Sequence, residues 1–234
     1  MKASRRDLLK WGVAGSTLMT FAGGLTSPAS ASAPGMAIVP LLGGTEADGT
    51  FLAGIETGLA GSGATISDLV LLSQDDSSAL ARLEHRLVAL KGHRIIGLLD
   101  EGRQAILDEI LRDIGARVLC SGRHTAGGHS GASSNHRFAT TPRSRGIGAA
   151  LADGLALGAE GFVIHETAFG AEASAAAVPV RLDARQGWVG MTGQALARIA
   201  TETWVPGNAG QYRRIGTDAR TTIHHGLVSF AAQL

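Results

Sequence analysis

Beyond residue 36 the apolar positions fall into two alternating kinds of segment. Short continuous runs, Ala37 to Leu42, Asp68 to Ser73, Arg94 to Leu99 and Arg117 to Cys120, read as strands. Between them lie stretches with helical periodicity: one near Thr50 to Leu59, one from Ser77 to Leu90 and one from Gly102 to Ile114. Leu80, Leu83, Leu87 and Leu90 share one face of the second, and Ile106, Ile110 and Ile114 one face of the third. Asp75, Asp76 and Ser77 supply N-cap chemistry, while Gly92 and Gly115 are stop signals. Continuous apolar strands separated by amphipathic helices favour parallel pairing with helices on both faces. The expected class is α/β: a three-layer sandwich with a mostly parallel, Rossmann-like or flavodoxin-like sheet.

The pattern then changes. Residues 122–136 contain Gly122, Gly127, Gly128, Gly131 and four Ser or Thr, which reads as a loop. A second unit follows, a helix from Gly146 to Gly158 and a strand from Phe162 to His165. Val178 to Leu182 reads as a strand, Gly190 to Thr203 as a helix and Gly226 to Leu234 as a closing strand.

The first 31 residues stand apart from this alternation. Ser4-Arg5-Arg6-Asp7-Leu8-Leu9-Lys10 precedes a mostly apolar run from Trp11 to Leu25, and Ser27-Pro28-Ala29-Ser30-Ala31 follows. The segment resembles a bacterial twin-arginine (Tat) export signal, with paired arginines, a modestly apolar centre and a small-x-small cleavage site. The resemblance implies a periplasmic protein, a partner in the twin-arginine export machinery, and cleavage after Ala31. An uncleaved membrane anchor is the alternative, although a run of about 15 residues is shorter than the ~20 of a spanning helix. The organisation expected is a signal over 1–31 and a single α/β domain over 32–234.

Charge has to be counted with that division in mind. The whole chain carries +1, of which the signal contributes +3, leaving −2 on residues 32–234. A chain without a basic excess does not fit a general nucleic-acid binder. One cysteine, Cys120, excludes an intrachain disulfide framework.

In open parallel sheets ligands bind beyond the carboxyl ends of the strands. Those ends offer Gly43-Gly44, Gln74-Asp75-Asp76, Asp100-Glu101, Ser121 to His124, and His165-Glu166. The carboxylates ahead of helices also read as simple caps. His165 and Glu166 do not, which makes them the leading candidates for catalytic or other polar site residues. Cys120, His124, His129 and His136 carry metal-ligand atoms, and the three histidines form a candidate metal set, although the spacing matches no compact metal motif. His224-His225 faces both sides of a strand, so at most one of the two could join a site.

Thr141 to Ala152, with Gly158-Ala159-Glu160 and the strand to His165, is similar to the first turn and helix of short-chain dehydrogenases. That resemblance implies a dinucleotide pyrophosphate at the backbone of Gly146 and Gly148, with Arg143 and Arg145 favouring a phosphorylated dinucleotide. Pro142 stands where the family has its first glycine, and no Tyr-x-x-x-Lys follows. Ser62-Gly63-Ala64-Thr65 is similar to a motif carrying FMN on threonine, but Leu59 replaces its aspartate, and the segment reads as a turn.

Two functions stand side by side. One is a non-enzymatic periplasmic protein that binds a small molecule or accompanies an exported redox enzyme. The other is an enzyme that uses a nucleotide, flavin or metal at the strand ends, with His165 and Glu166 as acid/base or ligand groups. The cofactor, if there is one, is not specified by any complete motif.

Overall fold

The structure, a computed structural model, describes residues 35–72, 77–126, 134–155, 161–169, 182, 187–206, 211–214 and 226–234. The signal, Asp75, Asp76, His129, residues 178–181 and His224-His225 lie outside the described residues.

The described chain is a mixed α/β fold built in the order β1 (Ala37–Leu42), α1 (Asp48–Leu59), β2 (Thr65–Ile66), β3 (Val70–Leu71), α2 (Ser77–Ala89), β4 (Arg94–Asp100), α3 (Glu101–Asp113) and β5 (Arg117–Ala126). Then come β6 (Ser134–Thr140), α4 (Ile147–Leu155), β7 (Phe162–Ala168), α5 (Gly187–Ala200), β8 (Gln211–Arg214) and β9 (Leu227–Gln233). All nine strands join one sheet in the order β2-β1-β4-β9-β5-β6-β7-β8, with β3 continuing the β2 edge along β1.

The first three strand positions are parallel, as the apolar runs predict: β1 pairs with β2, β3 and β4 in parallel register. The expectation of a mostly parallel sheet fails beyond them. Strand β9 lies antiparallel between β4 and β5, β6 is antiparallel to β5, and β8 is antiparallel to β7. The physical reason lies in the connections. Only a helical crossover makes neighbouring strands parallel, whereas β5 and β6 are joined directly as a hairpin and β9 arrives from the far end of the chain.

Within residues 122–136, expected as a loop, 122–126 and 134–136 are strand residues of that pair, in which His124 pairs with His136 and Cys120 with Thr140. Its β6 arm alternates: Ser134, His136, Phe138 and Thr140 are buried, and the residues between them are more exposed. That is the period of a half-covered strand, disguised by polar residues on its inner face.

Helices cover both faces of the sheet. On one side, Ile38, Ile96 and Leu98 pack with α1, α4 and α5. On the other, Val39, Leu41, Ile95 and Leu99 pack with α2 and α3. Helix α5 is buried on almost every side, from Trp188 to Ala200. Among the described residues no helix is long and apolar enough to cross a membrane.

Strands β6 and β7, parallel to each other and opposite in direction to β5, also move the candidate chemistry. Their carboxyl ends, Thr140 and Ala168, lie beside Cys120 near the amino end of β5. Gly43-Gly44 and Asp100-Glu101 follow the carboxyl ends of β1 and β4. The polar strand ends therefore divide between two edges of the sheet instead of collecting at one.

Candidate functional site

Helix α4 begins at the turn that resembles a dinucleotide fingerprint, and its free amides have a partner inside the chain. The Gly146 N–H donates to Glu166 Oε1 at 2.6 Å, and the Gly148 N–H donates to Glu166 Oε2 at 2.9 Å. The Thr140 hydroxyl donates to Oε1 at 3.2 Å. A carboxylate from β7 thus sits where the resemblance implies a pyrophosphate. Burial raises the Glu166 carboxyl above its ordinary value, while the hydrogen bonds from Gly146, Gly148 and Thr140 and the charge of Arg145 pull the other way. His165 is adjacent on the strand and its side chain points to the opposite face, so β7 does not bring the two together.

Two further carboxylates hold backbone amides close to helices α1 and α3. Asp48 accepts from the amides of Gly44 and Thr45 at 2.8 and 3.1 Å, occupying the turn after β1. Asp100 caps α3 by accepting from the Arg103 N–H at 2.9 Å. The Ser62–Thr65 segment is a turn, closed by the Ser62 hydroxyl on Leu59 O and the Ala64 amide on Ser62 Oγ.

An unfilled space lies at the edge where β4 and β5 begin. Arg94, Leu119, Arg143, Ile199, Glu202, Trp204 and Pro206 line a cavity of about 300 Å³. Arg94 is nearly buried. Its Nη1 donates to Ala200 O at the end of α5 at 2.7 Å, and its Nη2 donates to Glu202 Oε1 at 2.7 Å. Arg143 reaches the same oxygen at 3.0 Å. Arg117 adds its charge nearby, and the Arg94 hydrogen bond is the largest of the effects that lower the Glu202 carboxyl. The Trp204 indole N–H donates to Arg145 O at 3.1 Å, tying the wall of the cavity to the turn that carries Arg143. Of the four residues proposed for a cofactor, Gly146 and Gly148 therefore face Glu166, Arg145 braces Trp204, and Arg143 enters the cavity.

A second polar cluster is closed. His124 and His136 are both fully buried, with Nδ1 facing Nδ1 at 2.8 Å. His124 Nε2 lies 2.8 Å from Ser229 Oγ, and His136 Nε2 lies 2.9 Å from Ser134 Oγ. One ring must carry its hydrogen on Nδ1 and the other must not, so four side chains form one polarised chain. The Trp188 ring stacks on His124 with centroids 4.6 Å apart, and the Phe138 ring meets His124 edge-on at 5.5 Å. Burial lowers both imidazoles, His136 to about 3 and His124 well below its ordinary value with added repulsion from His136. All four ring nitrogens are engaged within the protein. Among the described residues no group of three or more His, Cys, Asp or Glu is placed to hold a metal ion. Cys120 is buried, and burial raises its thiol far above the ordinary value.

Sequence reasoning missed Arg94, Glu202 and Trp204. The sequence carries no signal for them: the φ of 59° at Glu202 after the end of α5, in the left-handed region where helices ordinarily place glycine, is visible only in the structure. No protein-family model, curated protein or solved structure matches the chain.

Proposed function

We propose that this chain is exported by the twin-arginine route and binds a small anion in the periplasm without transforming it. The observation that carries the binding is the Arg94–Arg143 cavity, where guanidinium groups outnumber the single carboxylate and apolar walls stand beside them. Support also comes from the filled helix starts. Asp48, Asp100 and Glu166 already occupy amides of the kind that hold phosphate groups in α/β enzymes, so an anion is better served at the arginines.

Calorimetric titration of the purified protein at low ionic strength tests the binding. Among inorganic phosphate, sulfate, citrate and phenyl phosphate, at least one should bind with a Kd below about 1 mM, an ordinary strength for a charge-assisted site of this size. Arg143→Ala should weaken that binding about tenfold or more, the worth of one charged hydrogen bond. The Arg143 side chain is largely exposed, so the variant should keep its melting temperature. Absence of heat with all four anions would overturn the reading.

Export has its own test, resting on the paired arginines of the signal. Replacing Arg5 and Arg6 together with lysine should remove the processed protein from the periplasmic fraction. Undiminished processed protein there would exclude the twin-arginine route.

A further inference from the structure

We infer that the ligand of the Arg94–Arg143 cavity is a dianionic phosphate monoester, and that Glu202 is a built-in competitor which the phosphate displaces. The inference rests on the anion-binding reading above and names its chemistry. Three observations lead to it.

The first is conformational. Glu202 is the one described residue other than glycine with positive φ, at 59°. It sits at the helix-ending position after α5, where the Glu202 N–H donates to Ile199 O and the amides of Thr203 and Trp204 both reach Arg198 O. Glycine takes that conformation without strain, yet here a charged side chain holds it. A residue kept in an unfavourable backbone region marks a place where the side chain matters.

The second is charge. Arg94 and Arg143 both hold one carboxylate, so the cavity keeps one positive charge uncompensated while Glu202 is in place, and Arg117 outside it adds a weaker field. Arg94 is fixed from behind by Ala200 O, so its second nitrogen remains aimed into the cavity when Glu202 leaves. Glu202 is about half exposed and Arg143 about two-thirds exposed, so the carboxylate has room to swing outward.

The third is competition. A carboxylate tethered on the chain acts at an effective concentration in the millimolar range or above. A free monocarboxylate offers the same group without the tether and loses that contest. A phosphate monoester brings twice the charge and a third acceptor oxygen, which matches the two guanidinium groups of the cavity in charge and overcomes the tether. Leu119, Ile199, Trp204 and Pro206 then give its organic part an apolar wall that inorganic phosphate cannot use.

The test compares the wild type with Glu202→Gln and Glu202→Gly, titrated with phenyl phosphate, inorganic phosphate and benzoate. Glycine suits φ 59°, so the second variant keeps the fold even if the first does not. Wild type should bind phenyl phosphate more tightly than inorganic phosphate and should not bind benzoate. Both variants should bind phenyl phosphate at least tenfold more tightly than wild type, and benzoate binding should appear. If wild type binds phenyl phosphate but the variants bind it no tighter, or if wild type binds benzoate equally well, the competitor role is overturned and the anion site survives. If neither wild type nor variants bind any of the three, the phosphate-ester assignment is overturned, and the anion-binding reading falls with it when sulfate and citrate also give no heat.

Discussion

Replacing Gly54 with alanine should destabilise the fold by about 3 kcal/mol or more, lowering the melting temperature by about 10 °C, although it adds only one methyl group. Helices α1 and α5 touch backbone to backbone. A Cβ built on Gly54 lands on the Gly190 carbonyl, one on Gly193 lands on the Phe51 carbonyl, and one on Gly58 meets the Gln194 backbone and the Ala197 Cβ. The obstacles to Gly54 are main-chain atoms of α5, a helix buried on nearly all sides, so neither helix can yield without lifting α5 from the sheet. The same substitution elsewhere in α1 has the opposite sign. Gly49 is exposed with nothing within 4 Å of its built Cβ, so Gly49→Ala should be neutral or stabilise by up to about 1 kcal/mol through helix propensity. Thermal and urea denaturation of the two variants decide the matter. Equal effects at positions 54 and 49 would show that the close approach of α1 and α5 is not as described.

How much of this fold could be read from the chain depends on how local its causes are. Strand β1, helices α2 and α3, and strand β4 fall within about two residues of the segments expected from apolar spacing, because period and capping are local properties. The hairpin of β5 and β6 escaped because its inner face carries His124, His136, Ser134 and Thr140, which read as loop chemistry. Yet alternation was present, and the two histidines are equidistant from residue 130, as a hairpin centred there requires. The place of β9 had no local signal at all. Its apolar run announces a strand, but its antiparallel pairing with both β4 and β5 is a long-range fact that no local period records.

The candidate site divides in the same way. Arg143, Arg145, Gly146 and Gly148 share a turn, as their proximity in sequence implies. That Glu166 would reach back to the amides of that turn depends on β6 and β7 being parallel neighbours, a long-range fact. Arg94 and Glu202 are 108 residues apart and meet only because β4 begins beside the end of α5. The consequence reaches function. At α3 and α4, and at the turn ahead of α1, a carboxylate of this chain already holds the backbone amides, and the positive charge left without a full partner stands where β4 and β5 begin.

Acid should destabilise this protein steeply below pH 6.5 because of two buried imidazoles. In the unfolded chain His124 and His136 take up protons near their ordinary value of 6.5, whereas in the folded chain burial holds His136 down to about 3 and His124 well below normal. A base with a lowered value in the folded state costs almost nothing a pH unit or more above 6.5, where both states are neutral. As pH falls through 6.5, the unfolded chain gains protons that the folded chain refuses, and stability is lost until the folded value is reached. Each ring then costs about 1.4 kcal/mol per pH unit, so at pH 5 the loss is about 2 kcal/mol per ring and about 4 kcal/mol for the pair. The neighbours offer no compensation: Ser134, Ser229, Trp188 and Phe138 are neutral, and the Nδ1 contact leaves no room for a proton on both rings. Glu166 acts in the opposite sense, because a carboxyl raised by burial takes up its proton earlier in the folded state, but it is a single group with three hydrogen bonds opposing the shift. Urea denaturation at pH 7.5, 6.5, 5.5 and 5.0 should show a loss of under about 1 kcal/mol between the first two and a steeper fall thereafter. Ring resonances of both histidines should stay in their neutral positions across that range while the protein remains folded. A flat stability profile, or rings titrating near 6.5 in the folded protein, would mean that the hydrogen-bonded pair is open to water and that α5 does not seal it.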